Sequence, residues 1–227
     1  MNEPVETPRR RLTGAVVPAL AAALLAALAV MLLVVRNGSE EKTASNGVSM
    51  ENCILNNADA VGGPIELQDA NGAPVTQADF AGQPAVIYFG FTHCPDICPT
   101  SMYALAAAQA LEGGYDVQPI LISVDPARDT PEVMGQYART EGFPSGLVGL
   151  TGSQAQIDAA KRAFQVYASR VDIPDAPEGA YNVDHSSFFY VLDDQWRTRS
   201  IVRTNGASPE QVAACIAAGL ERTDLPD

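Results

Sequence analysis

Basic residues are scarce in this sequence. Its 227 residues contain 14 Lys and Arg against 27 Asp and Glu, which gives a formal net charge of -13 at pH 7. The acidic residues are spread along the chain, and no block of about five or more like charges occurs. Because binding to nucleic acid requires clustered Lys and Arg that neutralise phosphates, this composition argues against a nucleic-acid partner.

Cysteine is scarce too. The chain has four cysteines, which are too few for the dense disulfide framework of small secreted domains. A domain of roughly 170 residues does not need such a framework, because it can bury a sizeable apolar core. Cys94 and Cys98 lie close together, whereas Cys53 and Cys215 stand far apart. The close pair is therefore the first candidate for chemistry.

Charged side chains are absent from Leu12 to Val35. This stretch has 24 residues, and a helix that spans a bilayer core needs about 20. Arg9, Arg10 and Arg11 precede it, so the positive-inside rule predicts a cytoplasmic N-terminus. A cleaved signal peptide is the alternative, but its apolar region is normally only about 7–15 residues long. We therefore expect a retained single-pass anchor with a large domain across the membrane.

Four parts of the chain follow from this pattern. The residues after the anchor are polar and show no periodicity, which is typical of a tether. A globular pattern of apolar segments begins near residue 60. The expected parts are a cytoplasmic N-terminus at 1–11, a transmembrane anchor at 12–35, a tether at 36–58 and one domain at 59–227.

Strands alternate with helical segments in this domain. The continuous apolar runs Ala85–Gly90 and Val117–Val124 predict central strands covered on both faces. Such alternation is typical of an α/β layer fold with a partly parallel sheet. Helices are expected from about Pro99 to Leu111, Pro131 to Arg139, Ser153 to Tyr167 and Ser208 to Glu221. Hairpins are expected within 65–76 and 187–203, with an irregular insertion at 168–184.

The segment Gly90–Pro99, GFTHCPDICP, places two cysteines where a buried strand gives way to a helix. The free N–H groups of a helix N-terminus stabilise thiolate and lower the pKa of a thiol. Residues four apart share one helix face, so Cys94 and Cys98 are expected to direct both sulfurs at one atom. Two thiolates are soft ligands that suit Cu(I), which also accepts imidazole.

A third ligand would complete a trigonal site, and the chain has two histidines. His93 adjoins Cys94, so in an extended segment its side chain points away from that of Cys94. His185 precedes a predicted strand and is the better candidate. Other readings remain open from the residues alone. In these alternatives, the two cysteines are ordinary buried residues, form a redox disulfide or belong to a zinc site. His185 is then a structural residue and not a ligand.

Three segments in register resemble the Sco/SenC family: GFTHCPDICPT (Gly90–Thr100), VDPARDTPE (Val124–Glu132) and NVDHSSFFYVLD (Asn182–Asp193). The likeness extends from about Gly62 to Leu220. It implies a thioredoxin-like fold, with an N-terminal hairpin, a loop or hairpin insertion and one preceding transmembrane helix. It also implies copper, as Cu(I) or Cu(II), bound by Cys94, Cys98 and His185.

The resemblance further implies a role in building the dinuclear copper centre of cytochrome c oxidase. A member either delivers copper to the copper-centre subunit or reduces the cysteines of that subunit. A second periplasmic copper chaperone or a thiol reductant is a further expected partner. The location implied is the inner (cytoplasmic) membrane, with the C-terminal domain in the periplasm. Rival functions are a thiol–disulfide oxidoreductase that uses Cys94 and Cys98, and a copper or redox sensor.

Two expectations concern residues beside the CxxxC motif. Asp125 lies on the loop after the second central strand, where it is expected to orient the metal ligands. The alternative is a turn and helix cap, which is the favoured role for Asp129. Cys53 and Cys215 depart from the family pattern and are expected either to pair in an oxidising compartment or to remain two unrelated thiols.

Overall fold

The computed structural model describes residues 49–111 and 115–221. Ten strands and four α-helices lie in these ranges. The strands are β1 (Cys53–Ile54), β2 (Glu66–Gln68), β3 (Pro74–Thr76), β4 (Ala85–Gly90), β5 (Gln118–Ser123), β6 (Val148–Leu150), β7 (Ala168–Asp172), β8 (Tyr181–His185), β9 (Phe188–Leu192) and β10 (Thr198–Arg203). The helices are α1 (Ile97–Ala110), α2 (Pro131–Tyr137), α3 (Gln154–Ala163) and α4 (Pro209–Leu220).

A six-stranded mixed sheet organises the fold, in the order β1-β10-β9-β4-β5-β6. β4 pairs parallel with β5 and β5 with β6, whereas β9 runs antiparallel to β4 and to β10. Every residue of β4 is buried, as expected for a central strand with both faces covered. Helix α4 packs against α1, β9 and β10. The predicted α/β class with a partly parallel sheet is thus confirmed.

The register of the parallel strands positions the CxxxC segment. Gly90, the last residue of β4, pairs with Ser123, the last residue of β5. The Val124 N–H then donates to the Gly90 carbonyl at 2.8 Å. The loops that leave the two strands therefore start side by side at the carboxyl edge of the sheet, which is where α/β folds usually hold their ligands.

The insertion expected at 168–184 is not irregular but is a hairpin, which agrees with the loop or hairpin insertion that the resemblance implied. β7 and β8 form an antiparallel hairpin that is separate from the six-stranded sheet, and Ala168 pairs with His185. Both prolines of the segment lie in the loop between the two strands. The residues of β7 are half-buried or exposed, so their sequence lacks the apolar alternation by which strands are recognised.

Helix α3 ends earlier than the sequence suggests, at Ala163 rather than near Tyr167. Gln165 adopts the left-handed conformation with φ of 53°, which ends the helical path. The chain then turns into β7.

Cys53 and Ile54 were expected to lie in the tether, but they form β1 and pair with Val202 and Ile201 of β10. A disulfide joins Cys53 to Cys215 in α4, with Cα atoms 5.5 Å apart. The expected anchor at 12–35 lies outside the described residues. Within the ranges described, no helix has the length and apolar character to cross a membrane.

Candidate metal centre

Cys94 and Cys98 lie at the junction between β4 and α1. The helix begins at Ile97, so Cys98 is in its first turn and Cys94 precedes the helix. The expectation that both share one helix face is therefore wrong for Cys94. The sulfurs converge because the chain curls before the helix, and the Cys98 N–H donates to Cys94 Sγ at 3.3 Å. Cys98 is completely buried and Cys94 is 9% exposed.

His185 ends strand β8 and turns its ring toward the cysteines. Its Nε2 lies 3.4 Å from Cys98 Sγ, and its Nδ1 lies 2.9 Å from the Ser186 carbonyl oxygen. A carbonyl oxygen only accepts, so Nδ1 donates to it, which leaves Nε2 as the ring atom whose lone pair can bind a metal. The rings of Phe91 and Tyr88 meet the imidazole edge-on, at centroid distances of 5.7 and 6.0 Å. Packing and tautomer thus both prepare Nε2 to bind a metal.

The three donor atoms form one group. Each of the two sulfurs and one ring nitrogen lies within 4.8 Å of the others. Two ligands bound at about 2.3 Å, the length of a zinc–sulfur bond, lie at most about twice that distance apart. The three side chains therefore need only small adjustments to hold one ion.

His93 stays outside this group. Its side chain is 52% exposed, and Nδ1 lies 3.9 Å from Asp129 Oδ1. The same nitrogen lies 3.1 Å from the Thr92 hydroxyl. The fold therefore brings the imidazole of His185, and not that of His93, to the two sulfurs, although His185 is far from them in the sequence.

The two thiols differ strongly in acidity. A hydrogen bond from Cys98 is the main cause that lowers the pKa of Cys94 to about 4, with His185 and backbone N–H groups contributing. Burial is the main cause that raises the pKa of Cys98 far above its usual range, and the Cys94 thiolate adds to it. The metal-free pair at neutral pH is thus one thiolate and one thiol, which is the protonation state that thiol–disulfide exchange requires.

Asp129 holds the cysteine turn in place, whereas a turn and helix cap was the role expected for it. Its carboxylate accepts hydrogen bonds from the Thr92 hydroxyl and the Ser123 hydroxyl, both at 2.6 Å, and from the Thr92 N–H at 3.2 Å. Thr92 is on the turn that leads to Cys94, and Ser123 ends β5. The VDPARDTPE segment was the sequence signal that pointed to Asp129. The helix-capping role expected for Asp129 is taken by Thr130.

Asp125 does not belong to the donor group. Its carboxylate accepts from Arg128 Nε at 2.5 Å and from the Tyr181 hydroxyl at 2.8 Å. Both partners lie beside the β7–β8 hairpin, because Tyr181 is the first residue of β8. Asp125 is therefore connected to the strand that carries His185 and not to the sulfurs themselves.

An open cavity of about 340 Å³ leads from the surface to Cys94. Its walls come from two sides of the site, the cysteine turn and strand β8. The lining residues are Cys94, Pro95, Asp96, Ile97, Asn182, Val183, Asp184 and His185. A side chain from another protein can therefore approach Cys94, whereas Cys98 is shielded by the fold.

Comparisons with known proteins find matches over most of the described chain. The profile of the SCO1/SenC family matches residues 55–221. The mitochondrial protein SCO2 of Saccharomyces cerevisiae is 41% identical over 140 residues, which are 60% of this chain and 45% of that protein. This chain therefore spans less than half the length of that relative.

Solved structures resemble the fold as a whole. The copper-bound structure of ScoI from Bradyrhizobium japonicum shares 39% identity and a TM-score of 0.59, and the match covers 70% of this chain and 99% of ScoI. BsSco, a member of the Sco family of cytochrome c oxidase assembly proteins with a disulfide switch, shares 26% identity and a TM-score of 0.53, over 70% of this chain and 94% of BsSco. The mixed α/β architecture is the thioredoxin-like fold of these proteins, and the chain belongs to the SCO1/SenC family.

Proposed function

We propose that this protein binds copper through Cys94, Cys98 and His185. The convergence of two sulfurs and one imidazole nitrogen within 4.8 Å of one another carries this proposal. Thiolates are soft ligands that suit Cu(I), and imidazole also binds copper. A structural zinc site usually has four protein ligands, and three donors converge here among the described residues. Copper is the ion that fits this donor set best.

The charge of the site suits both oxidation states of copper. Cu(I) held by two thiolates carries a net charge of −1, and Cu(II) held by the same thiolates carries none. The N-terminus of α1 supplies free N–H groups and the positive end of a helix dipole, and one of these groups, from Cys98, already donates to Cys94. This surrounding stabilises negative charge on the sulfurs.

The function that we propose is assembly of the dinuclear copper centre of cytochrome c oxidase, with copper as the cargo. The open cavity beside Cys94 lets a ligand of a partner replace one of the three donors at a time. Ligand exchange of this kind transfers an ion without releasing it to water. Membership in a family that contains BsSco and copper-bound ScoI supports this role. The proposed partners are the copper-centre subunit and a second copper chaperone or thiol reductant.

The acidity of the two thiols favours a second candidate function, reduction of a client disulfide. The Cys94 thiolate would attack one client sulfur and form a mixed disulfide, and a client thiolate would leave. Cys98 would then lose its proton and attack Cys94 Sγ. The second client thiolate would leave, and a Cys94–Cys98 disulfide would remain. The client gains the two electrons that the dithiol loses.

Copper titration of the purified protein, followed by visible absorption, tests the metal site. Sulfur-to-copper charge-transfer bands are expected with Cu(II) and should vanish in Cys94→Ser. His93→Ala is the matched control, because that imidazole lies outside the donor group, and it should keep the bands. Full copper affinity in His185→Ala would overturn the assignment of the third ligand.

The same His185→Ala variant separates the two candidate functions. It should weaken copper binding sharply, because one of three ligands is missing, yet leave disulfide exchange nearly intact, because both thiols remain. Complementation of an oxidase-assembly defect by this variant would favour reduction over delivery. Failure to complement, despite normal disulfide exchange, would favour delivery.

The cellular location belongs to this proposal as well. The uncharged stretch from Leu12 to Val35, preceded by three arginines, supports a single-pass anchor in the inner membrane with the copper domain in the periplasm. Extraction of membranes with alkaline carbonate should leave the protein in the pellet. A periplasm-dependent reporter fused after residue 221 should be active, and a reporter that works only in the cytoplasm should be inactive.

A further inference from the structure

The strand that carries His185 lies outside the main sheet. β8 pairs only with β7 among the described strands, and that hairpin is a separate two-stranded sheet. Within the hairpin strands, Val183 is the one buried apolar residue. A two-stranded hairpin is marginally stable by itself. Contacts outside the hairpin must therefore fix the position of the His185 ring.

One group of such contacts lies on Tyr181, at the opposite end of β8. Tyr181 and His185 are four positions apart in an extended strand, which places them roughly 13 Å from each other. The Tyr181 hydroxyl donates to Asp125 Oδ1 at 2.8 Å, and the Tyr181 carbonyl oxygen accepts from Arg128 Nη1 at 3.0 Å. The Arg128 guanidinium also stacks 3.7 Å from the centroid of the Tyr181 ring. The loop after β5 thus binds both the backbone and the side chain of Tyr181.

Arg128 also connects this contact to the metal site. Its guanidinium lies 5.7 Å from the ring centroid of Phe91, and the Phe91 ring meets the imidazole of His185 edge-on. Arg128 Nε is itself fixed by Asp125 Oδ2 at 2.5 Å. One planar guanidinium therefore touches the strand that carries the imidazole and the aromatic ring that packs against it.

We infer that Asp125, Arg128 and Tyr181 form a latch that positions His185 for the metal. The latch fixes the far end of β8, so that the near end presents Nε2 to Cys98. These three are positioning residues, because none of them belongs to the donor group. The role of this latch rests on the proposed copper function, because the residue that it positions is a copper ligand in that proposal. Outer residues that orient a metal ligand typically change affinity by about 10- to 100-fold when they are removed.

The opposite face of the Tyr181 ring provides a matched control. Arg170 stacks there at 3.9 Å from the ring centroid, but its side chain is 54% exposed and its own ion pair is with Asp172. Arg128→Gln and Arg170→Gln remove the same charge from the two faces of one ring. Arg128→Gln should weaken Cu(I) affinity about 10-fold or more, as measured by competition with a chelator. Arg170→Gln should leave Cu(I) affinity within about 2-fold of the wild type.

A double-mutant cycle decides whether the latch acts through His185. Arg128→Gln should add less than about 2-fold in the His185→Ala background, because the residue that the latch positions is gone. Tyr181→Phe, which keeps the ring and loses the bond to Asp125, provides a milder variant if Arg128→Gln is unstable. An equal loss of affinity in both backgrounds would overturn the latch, as would equal effects of Arg128→Gln and Arg170→Gln.

A measurement on the metal-free protein keeps the latch separate from the copper proposal. The chain has two histidines, so the ring protons of His185 can be assigned by comparison with His93→Ala. In the wild type, nuclear Overhauser contacts are expected between the rings of His185 and Phe91. These contacts should weaken in Arg128→Gln and persist in Arg170→Gln. Unchanged contacts in Arg128→Gln would overturn the latch, whereas a wild type that binds no copper would overturn the copper function alone.

Discussion

Asp129 accepts a hydrogen bond from the Thr92 hydroxyl at 2.6 Å, across 37 residues of sequence. Asp129 is completely buried, and Thr92 stands two residues before Cys94. Burial is the main cause that raises the pKa of this carboxyl, and its bonds to Ser123 and Thr92 oppose that effect. The position of the Cys94 thiolate and the structure of the sheet edge thus both depend on the buried side chain of Asp129.

Asp129→Ala should destabilise the protein by about 2–3 kcal/mol, because the Thr92 N–H and two hydroxyl groups lose a buried partner. The same variant should lower copper affinity, since the turn that carries Cys94 is no longer tied to β5. Chemical denaturation and copper titration measure the two effects.

Thr92→Ser is the control for this prediction. It keeps the hydroxyl and should behave nearly as the wild type in both measurements. If Asp129→Ala lost stability but kept copper affinity, Asp129 would serve the sheet edge alone and not the position of Cys94.

The sequence predicts the central strands and helix starts well because their signals are local. The apolar run Ala85–Gly90 coincides with β4. Thr130, Ser153 and Ser208 each accept a backbone N–H at the start of a helix, as their capping roles require. Each of these features depends on neighbours within a few residues of the chain.

Features that depend on distant partners were not predictable in this way. The β7–β8 hairpin has little buried apolar surface, and its attachment through Tyr181 depends on a loop more than 50 residues earlier in the chain. The spacing of Cys94 and Cys98 led us to expect one shared helix face, but α1 starts at Ile97 and Cys94 precedes it. The role of Asp129 became visible only when its buried contact with Thr92 was known.

The acidity of the thiols predicts which of them reacts. With a pKa near 4, Cys94 is thiolate at pH 6, so its alkylation by iodoacetamide should be nearly independent of pH from 6 to 8. An ordinary thiol with a pKa of about 8.5 would react roughly tenfold faster for each pH unit in that range. Mass spectrometry of the metal-free, reduced protein at each pH should find the label on Cys94 and very little on Cys98.

Cys98→Ala provides the internal control for this pH profile. The hydrogen bond from Cys98 is the largest cause of the lowered pKa of Cys94, so its removal should shift the onset of alkylation to higher pH. A wild-type profile that still rises tenfold per pH unit between 6 and 8 would contradict the assignment of Cys94 as the thiolate.

The Cys53–Cys215 disulfide should stabilise the fold without tuning the copper site. It joins β1, at the edge of the sheet, to α4, and its partners are 162 residues apart in the sequence. A cross-link over so long a loop restricts the unfolded chain strongly, and loss of such a bridge typically costs about 2–5 kcal/mol. The double variant Cys53→Ala, Cys215→Ala should show that loss in urea denaturation.

Copper absorption distinguishes this bridge from the functional pair. The double variant should keep the sulfur-to-copper bands of the wild type, because Cys94 and Cys98 are free thiols in another part of the fold. Treatment of the wild type with reductant should lower its stability to that of the double variant. A wild type that is no more stable than the double variant before reduction would show that the bridge does not form.

Gly90 ends β4 against the sulfur of Cys98, where space for a side chain is lacking. A Cβ at this position would lie 3.0 Å from Cys98 Sγ and 2.8 Å from Cε1 of Tyr88. Gly90→Ala should therefore displace Cys98 or the buried Tyr88 ring, at a cost of about 1–3 kcal/mol in stability. It should also weaken copper binding and shift the sulfur-to-copper bands, because the displaced atom is one of the three donors.

Gly219→Ala separates the effect of crowding from the effect on the metal site. A Cβ at Gly219 would lie 2.6 Å from the Ser200 hydroxyl oxygen, so this variant should lose stability for the same steric reason. Its contact is with β10 and not with the donor group, and its copper spectrum should match that of the wild type. Identical copper spectra in both variants would mean that Tyr88 yields and Cys98 stays in place, so that the glycine serves packing and not the position of the sulfur.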